Sequence, residues 1–266
     1  MFEAYSEPLP DVKPYFERLC IIDHGQRDLA FLNEIIRAHQ CRIPFENLAM
    51  CDEQIPLSLT TADLFEKVIQ IKRGGCCYEL NGLCSQFLKD IGYNASPCMV
   101  RIVRGRDCLW PVSHCGMIVR LEEKDYYCDV GYGGPQPPGA VLVQDREITR
   151  FHGEAWKDNR LDEWWHELTR IDAAGDEEKI FRFYPMPQYR MDFIAIAEKS
   201  CSDPAGFFMQ NRLVSIRTED GRRSLFNREL TIHENGEKHV LAAENENDLR
   251  AILKDTFGIE TCRIHF

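Results

Sequence analysis

The feature that most constrains this chain is a change in the period of its apolar residues between Ile91 and Pro97. Before it, Leu29, Leu32, Ile35 and Ile36 recur at helical spacing, as do Leu64, Phe65, Val68 and Ile71. Leu80, Leu83, Cys84, Phe87, Leu88 and Ile91 then keep a 3, 1, 3, 1, 3 rhythm that lays one stripe along a helix, with Gly92 placed to end it. Thr60 with Asp63 offers a capping box for the middle helix. After Pro97 the segments CMVRIVR, GMIVRLEE and DYYCDV alternate apolar and polar residues, the period of antiparallel strands. The two periods bury different faces, so the chain is expected to be α+β, helices first and a sheet after. GYGGPQPPG, from Gly131 to Gly139, cannot continue a central strand and is expected to be a loop. NRLVSIRT and LFNRELTIH suggest two later strands joined at Asp220-Gly221, with another hairpin at Asn235-Gly236. Leu249, Ile252 and Leu253 share a helix face that Gly258 can stop. The acidic run Asp176-Glu177-Glu178 is expected to be a solvated loop.

Charge and composition exclude several classes of function. A formal net charge of −11 argues against nucleic acid as a partner, because that binding draws on Lys and Arg neutralising phosphates. No apolar run approaches the roughly 20 residues of a membrane-spanning helix. The opening MFEAYSEPLPDVKPYF lacks the basic and then apolar order of a signal peptide, so a cytoplasmic location is expected. In that compartment the twelve cysteines are expected to be thiols. Cys76, Cys77, Cys84, Cys108, Cys115 and Cys128 lack the paired spacing of structural zinc sites, so no metal is expected.

The nine residues RGGCCYELN, Arg73 to Asn81, place two glycines and two cysteines at the mouth of the amphipathic helix. Gly74 and Gly75 tolerate positive φ and close approach, leaving a clear path to the side chain that follows. The helix N-terminus favours thiolate over thiol, and a neighbouring imidazolium favours it more. This chemistry suits Cys76 and Cys77 equally. His114 opens one strand pattern and Asp129 closes the next, so a hairpin would set them side by side, the arrangement of a Cys-His-Asp triad.

RGGCCYELN resembles the RGGxCxExN signature of the arylamine N-acetyltransferases. IPFENL (Ile43 to Leu48), VSHCGMIV and DVGYGG are similar to three further segments of that family, in the family's order. The resemblance implies that Cys77 is the acetylated nucleophile, Cys76 falling at the variable position. It implies His114 as general base and Asp129 as the group that orients it. It further implies that Glu46 and Arg73 brace the cysteine loop and that Tyr132 lines an acceptor pocket, while Asn81, on the first turns of the helix, is placed to support Asp129. Ser113, Gly131 and Gly133 would lie near the pantetheine path, and Phe208 would face the cleft.

The fold implied is a helical bundle over 1–92 carrying the cysteine, an antiparallel β-barrel-like domain over 93–192 carrying the histidine and aspartate, and an α/β lid over 193–266, around a cysteine-protease-like core. The activity implied is ping-pong transfer from acetyl-CoA, the cosubstrate, to small arylamines, arylhydrazines or N-hydroxyarylamines. An amide synthase using a carrier-bound acyl chain would carry the same motifs. A cysteine peptidase or transglutaminase-like enzyme orders the same three residues, and a thiol-rich binding or redox-sensing protein needs no triad.

Overall fold

The computed structural model describes residues 2–106, 109–261 and 263–266; Cys108 lies outside the described residues. Helices α1 (Lys13–Leu19) and α2 (Leu29–Arg42) come first, then a two-residue strand β1 (Phe45–Glu46), a short α3 (Leu48–Cys51) and α4 (Thr61–Phe65). Thr60 caps α4, its hydroxyl accepting the Asp63 N–H at 3.3 Å. The Asp63 carboxylate returns to the Thr60 hydroxyl instead of the Thr60 N–H, so half of the expected capping box forms. A π-helical turn over Glu66–Gln70 continues α4 and advances the helical phase, which leaves Ile71 62% exposed instead of on the buried stripe.

Helix α5 (Cys77–Asp90) buries the stripe its spacing predicted. Leu80, Leu83, Cys84, Phe87 and Leu88 are fully buried against α1, α2 and one face of the following sheet, with Tyr15 stacked on Phe87 at 4.0 Å. Each such large apolar side chain contributes about 1.5–3 kcal/mol, so α5 is fixed by its packing more than by its helix propensity.

Strands β2 (Asn94–Ile102), β3 (His114–Leu121), β4 (Lys124–Cys128), β5 (Val141–Leu142), β6 (Ile148–Phe151), β7 (Glu154–Arg160), β8 (His166–Ile171) and β9 (Glu177–Tyr184) form one antiparallel sheet. Their order is β5-β4-β3-β2-β9-β8-β7-β6. The Leu142 N–H reaches the Thr149 hydroxyl at 3.2 Å, drawing edge strands β5 and β6 together into a nearly closed barrel. Val100, Trp156, Leu168, Phe181 and Phe183 fill its interior. Glu177 and Glu178 belong to β9 and not to a loop. The buried Ile180, Phe181 and Phe183 pull them into register, and Lys157 and Arg104 pair with them at 3.6 and 2.7 Å.

A 3₁₀ turn (Arg190–Phe193), α6 (Ile194–Ser202) and α7 (Phe207–Gln210) lead into β10 (Leu213–Arg217), β11 (Gly221–Phe226), β12 (Glu229–Glu234), β13 (Glu237–Ala242) and α8 (Glu246–Phe257). LFNRELTIH is not one strand. Asn227 adopts φ 53° and turns β11 into β12, so Phe226 pairs with Glu229; Asn tolerates the left-handed region, but Asn-Arg is a weaker hairpin signal than Asn-Gly. The Asn235-Gly236 hairpin forms as expected, with φ 52° and 80°, and Gly258 ends α8 at φ 67°. Leu249, Leu253 and Phe257 of α8 pack on Val214, Leu225 and Leu230 of this second sheet.

The second sheet runs β1-β10-β11-β12-β13, so its first strand comes from the helical part of the chain. Phe45 pairs with Ser215 and Glu46 with Val214, while the Glu46 N–H donates to the Gly75 carbonyl at 2.9 Å. Strand β1 thus lies between the cysteine loop and β10. Two residues carry no readable period, which is why a helical reading of this region passes over it.

Candidate active site

The Arg73–Asn81 loop is held from several sides. Glu79 accepts the Cys76 N–H at 2.8 Å and a Lys67 ammonium hydrogen bond at 2.6 Å, setting the first turn of α5. Arg73 donates from Nε to buried Glu46 at 3.0 Å, and from Nη1 to both oxygens of Glu53 at 3.0 and 3.1 Å. The expected Glu46–Arg73 brace is therefore one arm of a two-carboxylate clamp. Gly74 and Gly75 do not use positive φ. Their smallness serves close approach instead: a Cβ at 75 would meet the Glu79 carboxylate at 2.8 Å, and one at 74 would strike the Pro44 carbonyl.

Cys77 is the first residue of α5, and both it and Cys76 are buried. A hydrogen bond to Cys77 is the chief influence that pushes the Cys76 thiol well above the ordinary thiol range, with burial and the Glu79 carboxylate adding to it. Cys76 accordingly stays protonated near neutral pH.

His114 is the first residue of β3 and Asp129 follows the end of β4, and the β3–β4 hairpin sets them together. His114 Nε2 lies 2.6 Å from Asp129 Oδ2; facing a carboxylate, this nitrogen donates, which leaves Nδ1 for proton exchange. The imidazole stacks on Phe181 at 5.4 Å and meets the Tyr132 ring edge-on at 5.5 Å. Asp129 also accepts from the Tyr127 hydroxyl at 2.9 Å, from Asn81 Nδ2 at 2.9 Å and from the Gly131 N–H at 2.9 Å. Burial pushes the Asp129 carboxyl up, but the charge and hydrogen bond of His114, with the donors of Asn81 and Gly131, outweigh it and hold the group below the usual carboxylate value.

Asn81 ties the helix to this pair. One turn along α5 from Cys77, it bonds Asp129 and the Cys115 carbonyl, the latter at 2.6 Å, and accepts the Val130 N–H at 2.8 Å. Gly131 packs directly on the start of α5, where a Cβ would lie 2.9 Å from Cys77 Cα and 2.8 Å from Asn81 Nδ2. Cys77, His114, Asp129 and Asn81 are thus brought to one place by α5, β3 and the chain after β4.

The remaining residues singled out from sequence surround it. Gly133 lies against Phe45, where a Cβ would meet the ring at 2.8 Å. Phe208 is half-buried in the cluster that contains Cys77, its ring 6.3 Å from that of Phe45. The Ser113 N–H donates to the Val100 carbonyl at 3.1 Å, and its buried hydroxyl has no protein partner among the described residues. Tyr132 and Phe45 are among the residues lining a cavity of about 1230 Å³ formed by α2, the Gly131–Gly139 loop and the two sheets.

Three contributors were not singled out. Glu53 completes the arginine clamp, and Gln40 donates to the Asp129 and Pro137 carbonyls at 2.7 Å each. Tyr127 carried a usable signal, since a residue two positions before Asp129 on a strand shares its face.

An N-acetyltransferase family model matches residues 28–264. The chain belongs to the arylamine N-acetyltransferase family. The arylamine N-acetyltransferase of Escherichia coli K12 is 28% identical over 257 residues, covering 94% of this chain and 89% of that relative. The pineal gland isozyme of arylamine N-acetyltransferase from Gallus gallus is 30% identical over 241 residues, 83% of this chain and 82% of the other. A solved arylamine N-acetyltransferase structure from Mycolicibacterium smegmatis superposes with a TM-score of 0.87 at 26% identity, covering 94% of this chain and 92% of its own. In this arylamine N-acetyltransferase family member the matched span includes α5, both residues of the His114–Asp129 pair and every strand of the second sheet.

Proposed function

We propose that this chain transfers an acetyl group from acetyl-CoA to the nitrogen of small aromatic amines and hydrazines, and to the oxygen of N-hydroxyarylamines, through an acetyl thioester on Cys77. The observation that carries the reading is the buried His114–Asp129 contact at 2.6 Å, coupled to the helix of Cys77 through Asn81. His114 Nδ1 takes the Cys77 proton, and the positive end of α5 favours the resulting thiolate. The thiolate attacks the thioester carbonyl of acetyl-CoA, and the CoA sulfur leaves with the imidazolium proton. The amine nitrogen then attacks acetyl-Cys77, passes its proton to His114 and departs as the amide, restoring the thiol.

Asp129 charges and orients the imidazole throughout, while Asn81, Glu46 and Arg73 hold the framework. Tyr132 and Phe208 offer aromatic faces to a flat acceptor, and Ser113, Gly131 and Gly133 border the donor's path. The enzyme works in the cytoplasm, where Cys77 stays reduced; every cysteine whose side chain is described is a free thiol, and no helix among the described residues is long and apolar enough to cross a membrane.

The test is to incubate the protein with acetyl-CoA alone and measure its intact mass. One added acetyl group mapping to Cys77 is expected, absent from Cys77→Ala and retained in Cys76→Ser. No adduct on the wild type, or one that survives Cys77→Ala, overturns the proposal.

A further inference from the structure

The cavity lined in part by Tyr132 and Phe45 has an excess of positive charge among its half-buried lining residues. Arg170 and Arg217 share one carboxylate, Glu154, at 2.8 and 3.1 Å. Arg222 stands beside them with neutral partners only: its Nε donates to the Ser215 hydroxyl at 3.0 Å and its Nη2 to the Gly133 carbonyl. Among the described residues no carboxylate forms an ion pair with it. The other acids of the lining, Glu34, Glu219 and Asp220, sit on the solvent-exposed rim, where water screens them.

A desolvated guanidinium beside other guanidiniums is unfavourable without a counter-charge. Burial is the main influence that lowers Arg222 to about 10; Tyr132 opposes it, and Arg104, Arg217 and Arg170 each push further down. Arg222 remains a cation at neutral pH. Its contact with Gly133 places it next to Tyr132, whose ring edge lies on His114. Burial raises the Tyr132 hydroxyl above its ordinary value, and the charges of Arg104 and Arg222 oppose that rise.

We propose that Arg222 is an anion-binding subsite of the acyl-transfer centre, its free guanidinium face taking an oxyanion group carried by a substrate. This rests on the acetyl-transfer reading above and adds a charge preference to it. Two sources supply the chemistry, a phosphate of the CoA thioester or a carboxylate on the aromatic amine. In either case the bound anion replaces the missing counter-charge, and a planar fork of donors suits both groups. Arg217 and Arg170 are less available, because Glu154 already occupies them.

The experiment compares kcat/KM for charged and neutral partners. Donors are acetyl-CoA and a phosphate-free aryl acetate; acceptors are 4-aminobenzoate and its neutral amide. Transfer from the phosphate-free donor to the neutral amide by the wild type tests the acetyl-transfer reading separately from the subsite. Arg222→Gln is expected to lower the charged-to-neutral ratio on the order of tenfold, the effect of losing one charge-assisted hydrogen bond, and Arg222→Lys to recover part of it. A fall confined to acetyl-CoA assigns the phosphate, and one confined to 4-aminobenzoate assigns the carboxylate. Equal loss across all four pairs, an unaltered ratio, or failure of Arg222→Lys to recover any of it overturns the proposal.

Discussion

The Tyr127 hydroxyl donates to the same Asp129 oxygen, Oδ2, that His114 Nε2 contacts. Gly116 opposite makes room for it, since a Cβ there would come within 2.8 Å of that hydroxyl. Burial raises the Tyr127 phenol well above its ordinary value, with the Asp129 charge adding to the shift, so it stays protonated and serves as a donor. Tyr127→Phe removes one of the donors that fix the carboxylate. Single-turnover acetylation of the thiol is expected to slow about three- to tenfold, and urea unfolding to show a loss of about 1–2 kcal/mol. A stability loss with the acetylation rate unmoved would limit Tyr127 to packing.

Asn81→Ala acts on the other oxygen, Oδ1. The Asp129 carboxyl is held low in the folded state, so it contributes stability above the unfolded carboxylate value of about 3.9, and that contribution is lost as pH falls through the lowered folded value. Without Asn81 the folded value rises toward the unfolded one. Stability at pH 7 is expected to drop by about 2–4 kcal/mol, from the lost donor and the orphaned Val130 N–H, and acid unfolding to begin at higher pH. Urea titrations of both proteins between pH 3 and pH 7 check this; parallel curves would contradict it.

Gly131→Ala introduces a methyl against Cys77 Cα and Asn81 Nδ2. The cost in stability is expected to be about 1–3 kcal/mol. The effect on acetylation is expected to be larger, roughly a hundredfold, because a displacement on the order of 1 Å misaligns the thiol and imidazole. Intact-mass time courses with acetyl-CoA give the rate, and near-normal acetylation would show that the loop yields without moving α5.

Arg73 is the cation of the cysteine-loop clamp. Arg73→Met leaves the Glu46 carboxylate buried without its partner and is expected to cost about 3–5 kcal/mol. Arg73→Lys keeps a charge but cannot span Glu46 and Glu53 together, and is expected to cost about half as much. Thermal unfolding of the two variants should preserve that order.

What could be read from the sequence was whatever depends on neighbours along the chain. The stripe of α5, the alternation of β2 to β4, the Asn235-Gly236 turn and the strand-end positions of His114 and Asp129 are all local patterns. What could not be read depends on tertiary partners. Glu53 and Gln40 have no distinguishing spacing, and their contacts arise only after helices and sheets assemble. The π-helical turn displaced Ile71 by a change of phase that apolar spacing does not encode. Glu177 and Glu178 have the composition of a loop, but the buried residues after them decide their conformation.

Strand β1 holds the cysteine loop on one edge and pairs with β10 on the other, partners separated by more than half the chain. Contacts of that span form slowly, because a long stretch of chain must first surrender its freedom. During synthesis β1, the strand beside the loop, therefore lacks its pairing partner until the last sheet has emerged and docked. A ribosome-bound fragment that ends before β10 would carry Cys77, His114 and Asp129 while the strand beside the cysteine loop still lacked its partner.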